Sequence, residues 1–66
     1  MMTHTILRLP RVKASTGLSR STIYARISQG IFPKPVKLGG RAVGWVQAEI
    51  EEWLRQQIEA SRRTVA

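Results

Sequence analysis

The residues of this chain best suited to binding a ligand are its cations. They are unevenly placed along the sequence. Among 66 residues there are eleven Lys or Arg and four Asp or Glu, which give a formal net charge of +7. Residues 1–48 contain eight cations and no acid, whereas all four Glu lie within residues 49–59. A basic surface separated in this way from the acids attracts a polyanion. The charge pattern therefore favours a nucleic-acid ligand over a basic face that serves only solubility.

Residue types suited to catalysis or metal binding are scarce. The chain has no Cys and no Asp, and its one histidine, His4, is expected to be solvated near the start of the chain. No Ser or Thr has a base and an orienting acid with which to form a triad. Gly39–Gly40 leads into no Lys-Ser or Lys-Thr pair of the kind that a phosphate-binding loop needs. We predict no enzymatic activity, no cofactor, no metal site and no small-molecule ligand.

Two short helices joined by a tight turn are the first elements that could position the cations. Pro10 suits the first turn of a helix, and Gly17 can adopt the left-handed conformation that ends one. Ser19 is a good N-cap residue for a second helix at roughly residues 20–29, in which Ile23 begins an inward-facing apolar stripe. A three-residue link that contains glycine is typical of a helix-turn-helix.

A β-hairpin and a third helix are predicted downstream. The segments 36–38 and 42–46 are strand-like and flank Gly39–Gly40, and a glycine pair in this position is a hairpin signal. From Gln47 onward, apolar residues recur at helical spacing, and this helix is expected to end near residues 60–62. The hairpin would form a wing beside the helix-turn-helix.

The expected architecture is a single, small, mainly α domain with a β-hairpin, which is a winged helix-turn-helix. It spans residues 1–66, with an ordered core at about 6–60 and mobile termini. Residues 6–9 suit either a short strand or an extended lead-in. The apolar positions of these elements form the expected core, which consists of Leu7, Leu9, Val12, Leu18, Ile23, Ile27, Phe32, Val36, Leu38, Val43, Trp45, Ile50, Trp53, Leu54 and Ile58.

The second helix is the predicted recognition helix, because in a helix-turn-helix this element enters the major groove and contacts base edges. With Ile23 and Ile27 on the core, small side chains point outward and allow a close approach to the groove floor. Arg20 and Arg26 would reach DNA from the edges, and Tyr24 would either pack against the hairpin or donate to a phosphate. The predicted contact residues are Ser19, Arg20, Ser21, Thr22, Tyr24, Ala25 and Arg26.

Cations outside this helix are predicted to contact the DNA backbone. On a wing, such residues usually contact phosphate or probe the minor groove. The wing residues are Lys34, Lys37 and Arg41. Arg11 and Lys13, on the first helix, are either phosphate contacts or simply solvated. The two tryptophans are expected to anchor the core rather than to stack on bases.

Five segments of the chain carry the pattern of a known family: Leu7–Pro10, Thr16–Tyr24, Phe32–Gly39, Arg41–Trp45 and Glu49–Leu54. Over residues 6–58 the chain resembles the AlpA family of small regulators of prophages and other mobile elements. The resemblance implies a winged helix related to MerR-type DNA-binding domains and phage excisionases, with its recognition helix at 19–28 and its wing at 35–45. It also implies DNA binding near integrase or excision functions. The family's usual acid in the first helix is missing, where Arg11 and Lys13 stand.

The expected function is sequence-specific binding of double-stranded DNA, as a transcription regulator of a prophage or integrated mobile element. One alternative is an excisionase that bends DNA at an attachment site, and another is an adaptor that inhibits a host protein through its third helix. Further expected partners are other copies that assemble cooperatively on DNA, and integrase or RNA polymerase. No apolar run approaches the ~18 residues that span a bilayer, and residues 1–6 lack the features of a secretory signal. We therefore expect no membrane contact and a cytoplasmic location.

Overall fold

Three helices and three antiparallel strands form the part of the chain, residues 4–64, that the computed structural model describes. In chain order they are β1 (Ile6–Leu7), α1 (Leu9–Thr16), α2 (Arg20–Ser28), β2 (Val36–Gly39), β3 (Ala42–Val46) and α3 (Gln47–Thr64). The predicted winged helix-turn-helix architecture is confirmed. Of the termini that are expected to be mobile, residues 1–3 and 65–66 lie outside the described range. Residues 61–64 lie within it and are helical, so α3 continues to Thr64 rather than ending near residues 60–62.

The helix-turn-helix is set by two local signals that the sequence predicts. Gly17 ends α1 in the left-handed region, with φ of 72°, and its N–H donates to the carbonyl of Lys13. Ser19 then caps α2, because its Oγ accepts a hydrogen bond from the N–H of Thr22 at 3.2 Å. These two residues stop one helix and start the next within three positions, so the angle between the helices depends on a very short link.

The sheet has β3 at its centre, in the order β1-β3-β2. Of the two alternatives for residues 6–9, the short strand is confirmed, since Leu7 pairs with Trp45. The N–H of Gln47 donates to the carbonyl of Thr5 at 2.8 Å and so extends this contact to the first residue of α3. The end of β3 that leads into α3 is therefore anchored by β1, through Trp45, Val46 and Gln47.

The core lies between one face of this sheet and the helices. Trp45 has no exposed surface, and its Nε1 donates to the carbonyl of Pro33 at 3.0 Å. The other buried side chains are Leu7, Val12, Ile23, Phe32 and Ile50. Leu9, Leu18, Ile27, Trp53 and Leu54 are partly buried and pack against them, as predicted.

Three residues predicted to lie in the core are exposed instead. Val36 and Leu38 are 37% and 45% exposed, because helices cover only one face of the sheet. Val36 pairs with Gly44 and so lies on the other face, since directly opposed residues share a face. Ile58 is 48% exposed, because only the first half of α3 reaches the core. The periodicity of apolar residues predicted the types of these elements correctly. It did not predict how much of each element the rest of the molecule covers.

Candidate nucleic-acid interface

The start of α2 is organised by a pair of hydroxyls. Ser19 Oγ accepts from the Thr22 N–H and donates to Thr22 Oγ1 at 2.9 Å. Thr22 is half-buried and engaged in the cap, so it is less available for the DNA contact predicted for it. Ser21 and Ala25 are exposed, as expected for small residues on the outer side of the helix. The surface that α2 offers to a ligand is therefore built from Arg20, Ser21 and Ala25 more than from Thr22.

An aromatic contact joins the start of α2 to the base of the wing. The guanidinium of Arg20 lies 5.7 Å from the ring centre of Tyr24, within the range of a cation–π contact. The ring of Tyr24 in turn meets that of Trp45 edge to face, with centroids 6.3 Å apart. Of the two alternatives for Tyr24, packing against the hairpin is thus realised, with 38% of the residue still exposed. This chain of contacts positions Arg20 relative to β3.

The hairpin places one cation on the face that α2 also packs against. Lys37 pairs with Val43, and Val43 lies two residues from Trp45 on the same strand, so all three share a face. Arg41 lies in the turn between β2 and β3 and is exposed. Lys34 is not part of this grouping, because it lies in the preceding loop and lines a groove against α3. The structure therefore brings Lys37 to the side of α2 and leaves Lys34 apart.

The cations of residues 1–48 remain available to a ligand. Arg26 is half-buried, and the other seven are exposed, including Arg11 and Lys13 on α1. Within residues 4–63, the ion pairs do not include any of these eight side chains. Arg8 belongs with them: it precedes α1 as an exposed N-cap residue, and we did not predict it as a contact. In the sequence, only its positive charge could have indicated that Arg8 is a candidate DNA contact.

Two of the four acids of α3 interact with one cation of the same helix. Arg55 pairs with Glu52 and, at 3.1 Å, with Glu59. Hydrogen bonding to Arg55 lowers the pKa of the Glu52 carboxyl, and the same contact raises the pKa of Arg55. Because α3 balances much of its own charge, the uncompensated positive charge belongs to the helix-turn-helix and the wing.

The described part of the chain offers no other kind of site. No cluster of three or more His, Cys, Asp or Glu that could hold a metal ion occurs in it. Nor does any helix among these residues combine the length and the apolar character needed to cross a membrane. A groove also lies beside α3, and no residue of α2 lines it.

A capped helix-turn-helix with a wing, carrying unpaired cations on α1, α2 and the hairpin, defines the class of small winged-helix regulators. More closely, the chain belongs to the AlpA family, since residues 5–58 match the family described as "Prophage CP4-57 regulatory protein (AlpA)". The family predicted from the five sequence segments is thereby confirmed.

Two relatives illustrate this membership. The chain is 47% identical over 58 residues to the "DNA-binding transcriptional activator AlpA" of Escherichia coli (strain K12), a match that covers 79% of this chain and 83% of that protein. It is 46% identical over 57 residues to "Uncharacterized protein ORF88" of Enterobacteria phage P4, a match that covers 86% of this chain. The same match covers 65% of the phage protein, just under two thirds of its length.

Proposed function

We propose that the chain is a DNA-binding transcription regulator of a prophage or an integrated mobile element, and that it acts in the cytoplasm without enzymatic activity. Membership of a family of prophage regulatory proteins supports this proposal. So does the name of the Escherichia coli relative, which describes a DNA-binding transcriptional activator. Double-stranded DNA is the ligand that fits a rigid helix and wing with unpaired cations.

One observation carries the proposal: the start of α2 and the face of the wing that bears Trp45 lie on the same side of the domain. Arg20 contacts Tyr24, and Tyr24 contacts Trp45 on β3. Lys37 lies on the same face of the sheet as Trp45. A recognition helix and a wing that are fixed to each other in this way can contact one major groove and the neighbouring backbone together.

The roles of individual residues follow from their exposure. Arg20, at the first turn of α2, is the residue proposed to read a base edge, and guanine is the base that suits a bidentate guanidinium. Ser21 and Ala25 allow the helix to approach the groove, while Ser19 and Thr22 fix its start. Arg26, Lys34, Lys37, Arg41, Arg11 and Lys13 are proposed to contact phosphates, together with Arg8.

Protein partners are a finer proposal. Contact with RNA polymerase would suit an activator, contact with integrase would suit an excisionase, and a second copy could bind next to the first on DNA. An excisionase would bend its site, because the architecture of an attachment complex requires curved DNA. The host-protein adaptor would need no DNA at all. These alternatives are separated by the outcome of the experiment below.

The test is selection of bound sequences from random double-stranded DNA, followed by titration of the protein on the selected site and on a scrambled site. We expect a preference of about 10³-fold or more, which is the low end for specific DNA-binding proteins. A reporter placed under a promoter that contains the site then measures activation or repression. Circular-permutation gel shifts measure bending, and bending without an effect on the promoter would favour the excisionase. Equal binding to both sequences, or none, would overturn the proposal.

A further inference from the structure

A groove of about 820 Å³ lies between the loop that follows α2 and the first half of α3. Its floor is apolar: Phe32 and Trp53 meet edge to face at 4.8 Å, and Trp53 Nε1 donates to the carbonyl of Ile31 at 2.8 Å. Ile31 also lines the groove and is 55% exposed. Apolar side chains of the loop and of α3 therefore meet in this groove, and the bond from Trp53 to Ile31 joins its two walls.

The α3 wall of this groove carries its acidic side chains. Glu49 and Glu52 of α3 line it, and Lys34 lies in its loop wall. Glu52 is already paired with Arg55, but Glu49 is exposed and makes no hydrogen bond or ion pair with the described residues. Glu49 thus offers an unpaired carboxylate beside apolar side chains, in a molecule whose unpaired charges are otherwise mostly positive. A ligand with an apolar side chain next to a cation would complement it.

The far half of α3 presents such a combination. Ile58 is 48% exposed, and Arg62 follows it by four residues, so the two lie one above the other on the helix. Arg62 and Arg63 are both exposed. The 18 residues of α3 extend about 27 Å at 1.5 Å per residue, and the described domain measures 47 Å along its longest axis. This end of α3 projects far enough from the core to reach a neighbouring molecule.

We propose that residues 58–63 of one copy bind the groove of a second copy. In this contact Ile58 covers the Phe32–Trp53 floor, and Arg62 pairs with Glu49. The two surfaces are different, so the contact is head-to-tail and builds an open row rather than a closed dimer. The inference rests on the proposed DNA binding, because DNA is what aligns the copies.

DNA is needed for the row because single copies repel each other. A net charge of +7 opposes association in solution. On DNA the phosphates neutralise this charge, and adjacent sites raise the effective concentration of one copy near the next. Copies bound one turn of B-DNA apart, about 34–36 Å, lie on the same side of the duplex, and on a direct repeat they have the same orientation, as a head-to-tail contact requires.

The test compares three DNA probes that carry the selected site once, twice as a direct repeat one turn apart, or twice as an inverted repeat. On the direct repeat, we expect the second copy to bind at least about tenfold more tightly than one copy binds the single site. This is a modest gain for linked binding. The inverted repeat should show no gain, because a head-to-tail contact requires the same orientation. The full-length chain is used throughout, and sedimentation without DNA should show a monomer.

Exchanging the charges of Glu49 and Arg62 tests the contact between the two copies. Glu49→Arg and Arg62→Glu should each abolish the gain on the direct repeat, and the double variant should restore it. Ile58→Asp should abolish the gain without restoration. Glu51→Arg is the matched control, since it changes the net charge as Glu49→Arg does but lies outside this groove, and it should keep the gain. Affinity for the single site reports any general effect of charge on DNA binding.

The outcomes separate the two proposals. Tight binding to the single site with no gain on the direct repeat overturns the head-to-tail contact and leaves the proposed function intact. A gain confined to the inverted repeat, or a gain that Glu51→Arg removes as completely as Glu49→Arg, also overturns the contact. Absence of binding to the single site overturns the proposed function itself.

Discussion

At the residue scale, Trp45 carries the largest share of the packing. It is fully buried, its indole N–H is bonded to the carbonyl of Pro33, and its ring meets Tyr24. Trp45→Ala should cost about 3–5 kcal/mol through the cavity that it leaves. Small domains are stable by only about 5 kcal/mol or a little more, so this variant should be largely unfolded by circular dichroism. Trp45→Phe keeps a ring and should stay folded, with a loss of about 1 kcal/mol for the missing hydrogen bond.

Trp53 is the matched comparison for this prediction. From the sequence it was expected to be as important, but it is half-buried and contacts Phe32 and the carbonyl of Ile31 at the wall of the groove. Trp53→Ala should therefore lower the melting temperature less than Trp45→Ala does. A lower melting temperature for Trp53→Ala than for Trp45→Ala would show that the groove, and not the sheet face, is the centre of the core.

Gly44 is constrained by crowding rather than by its backbone angles. A Cβ on this residue would overlap Ile6 Cγ2 and would lie 3.1 Å from the carbonyl oxygen of Leu7 and 3.2 Å from Leu38 Cδ1. Gly44→Ala should destabilise the domain by about 1–3 kcal/mol, the usual range for overpacking. In a double-mutant cycle measured by urea unfolding, Ile6→Ala should remove part of that penalty. Additive effects of the two substitutions would contradict the contact between them.

Local rules explain which residues the sequence predicted correctly. Gly17 and Ser19 act within one turn of their own positions, so their roles depend on neighbours that are visible in the sequence. The exposure of Val36 and Leu38 depends on which face of the sheet the helices cover, and alternation of residue types does not contain that information. Tyr24 had two alternatives for the same reason, because its partner Trp45 is distant in the chain.

At the scale of elements, the recognition helix and the wing should lose function in different ways. Arg20 lies at the start of α2, and Arg41 lies in the hairpin turn. Arg20→Ala should lose about 1–3 kcal/mol on the selected site and little on scrambled DNA. Arg41→Ala should weaken both equally and make the salt dependence shallower by about one unit. Titrations of each variant on both DNAs measure this difference.

The control for these titrations is Arg55→Ala, which removes one positive charge from α3 rather than from the predicted DNA surface. It should leave the preference for the selected site unchanged. Specificity that depends on Arg41 and not on Arg20 would show that the hairpin reads the sequence. All three variants should remain folded, because each of these side chains is exposed.

Element boundaries were predictable where a cap or a glycine marks them, and less so elsewhere. The sequence predicted α1, α2 and the hairpin within a residue or two, since each has a start or stop signal. It left β1 undecided, because two residues carry no periodicity and the strand exists only through pairing with Trp45 and Val46. The end of α3 was placed too early, since residues 61–64 have no glycine or proline that would stop a helix.

For the whole molecule, the separation of charge predicts a steep dependence of DNA binding on salt. If five of the exposed cations contact phosphates, log affinity should fall with log salt at a slope near −4 to −5. Titrations between low and physiological salt on one DNA give this slope, and Arg55→Ala should leave it unchanged. A slope near zero would remove the electrostatic basis of the proposed function.

The pairing of β1 with β3 has a consequence for the order of folding. Ile6 and Val46 are about forty positions apart, whereas β2 and β3 are joined by a two-residue turn. Closing the long loop costs more chain entropy than closing the short one, so the hairpin should form before the rate-limiting step and β1 should dock after it. Substitution of Leu7 by Ala should then accelerate unfolding and leave the refolding rate almost unchanged. Val43→Ala, in the hairpin, should slow refolding, and stopped-flow chevron plots of the two variants measure both rates.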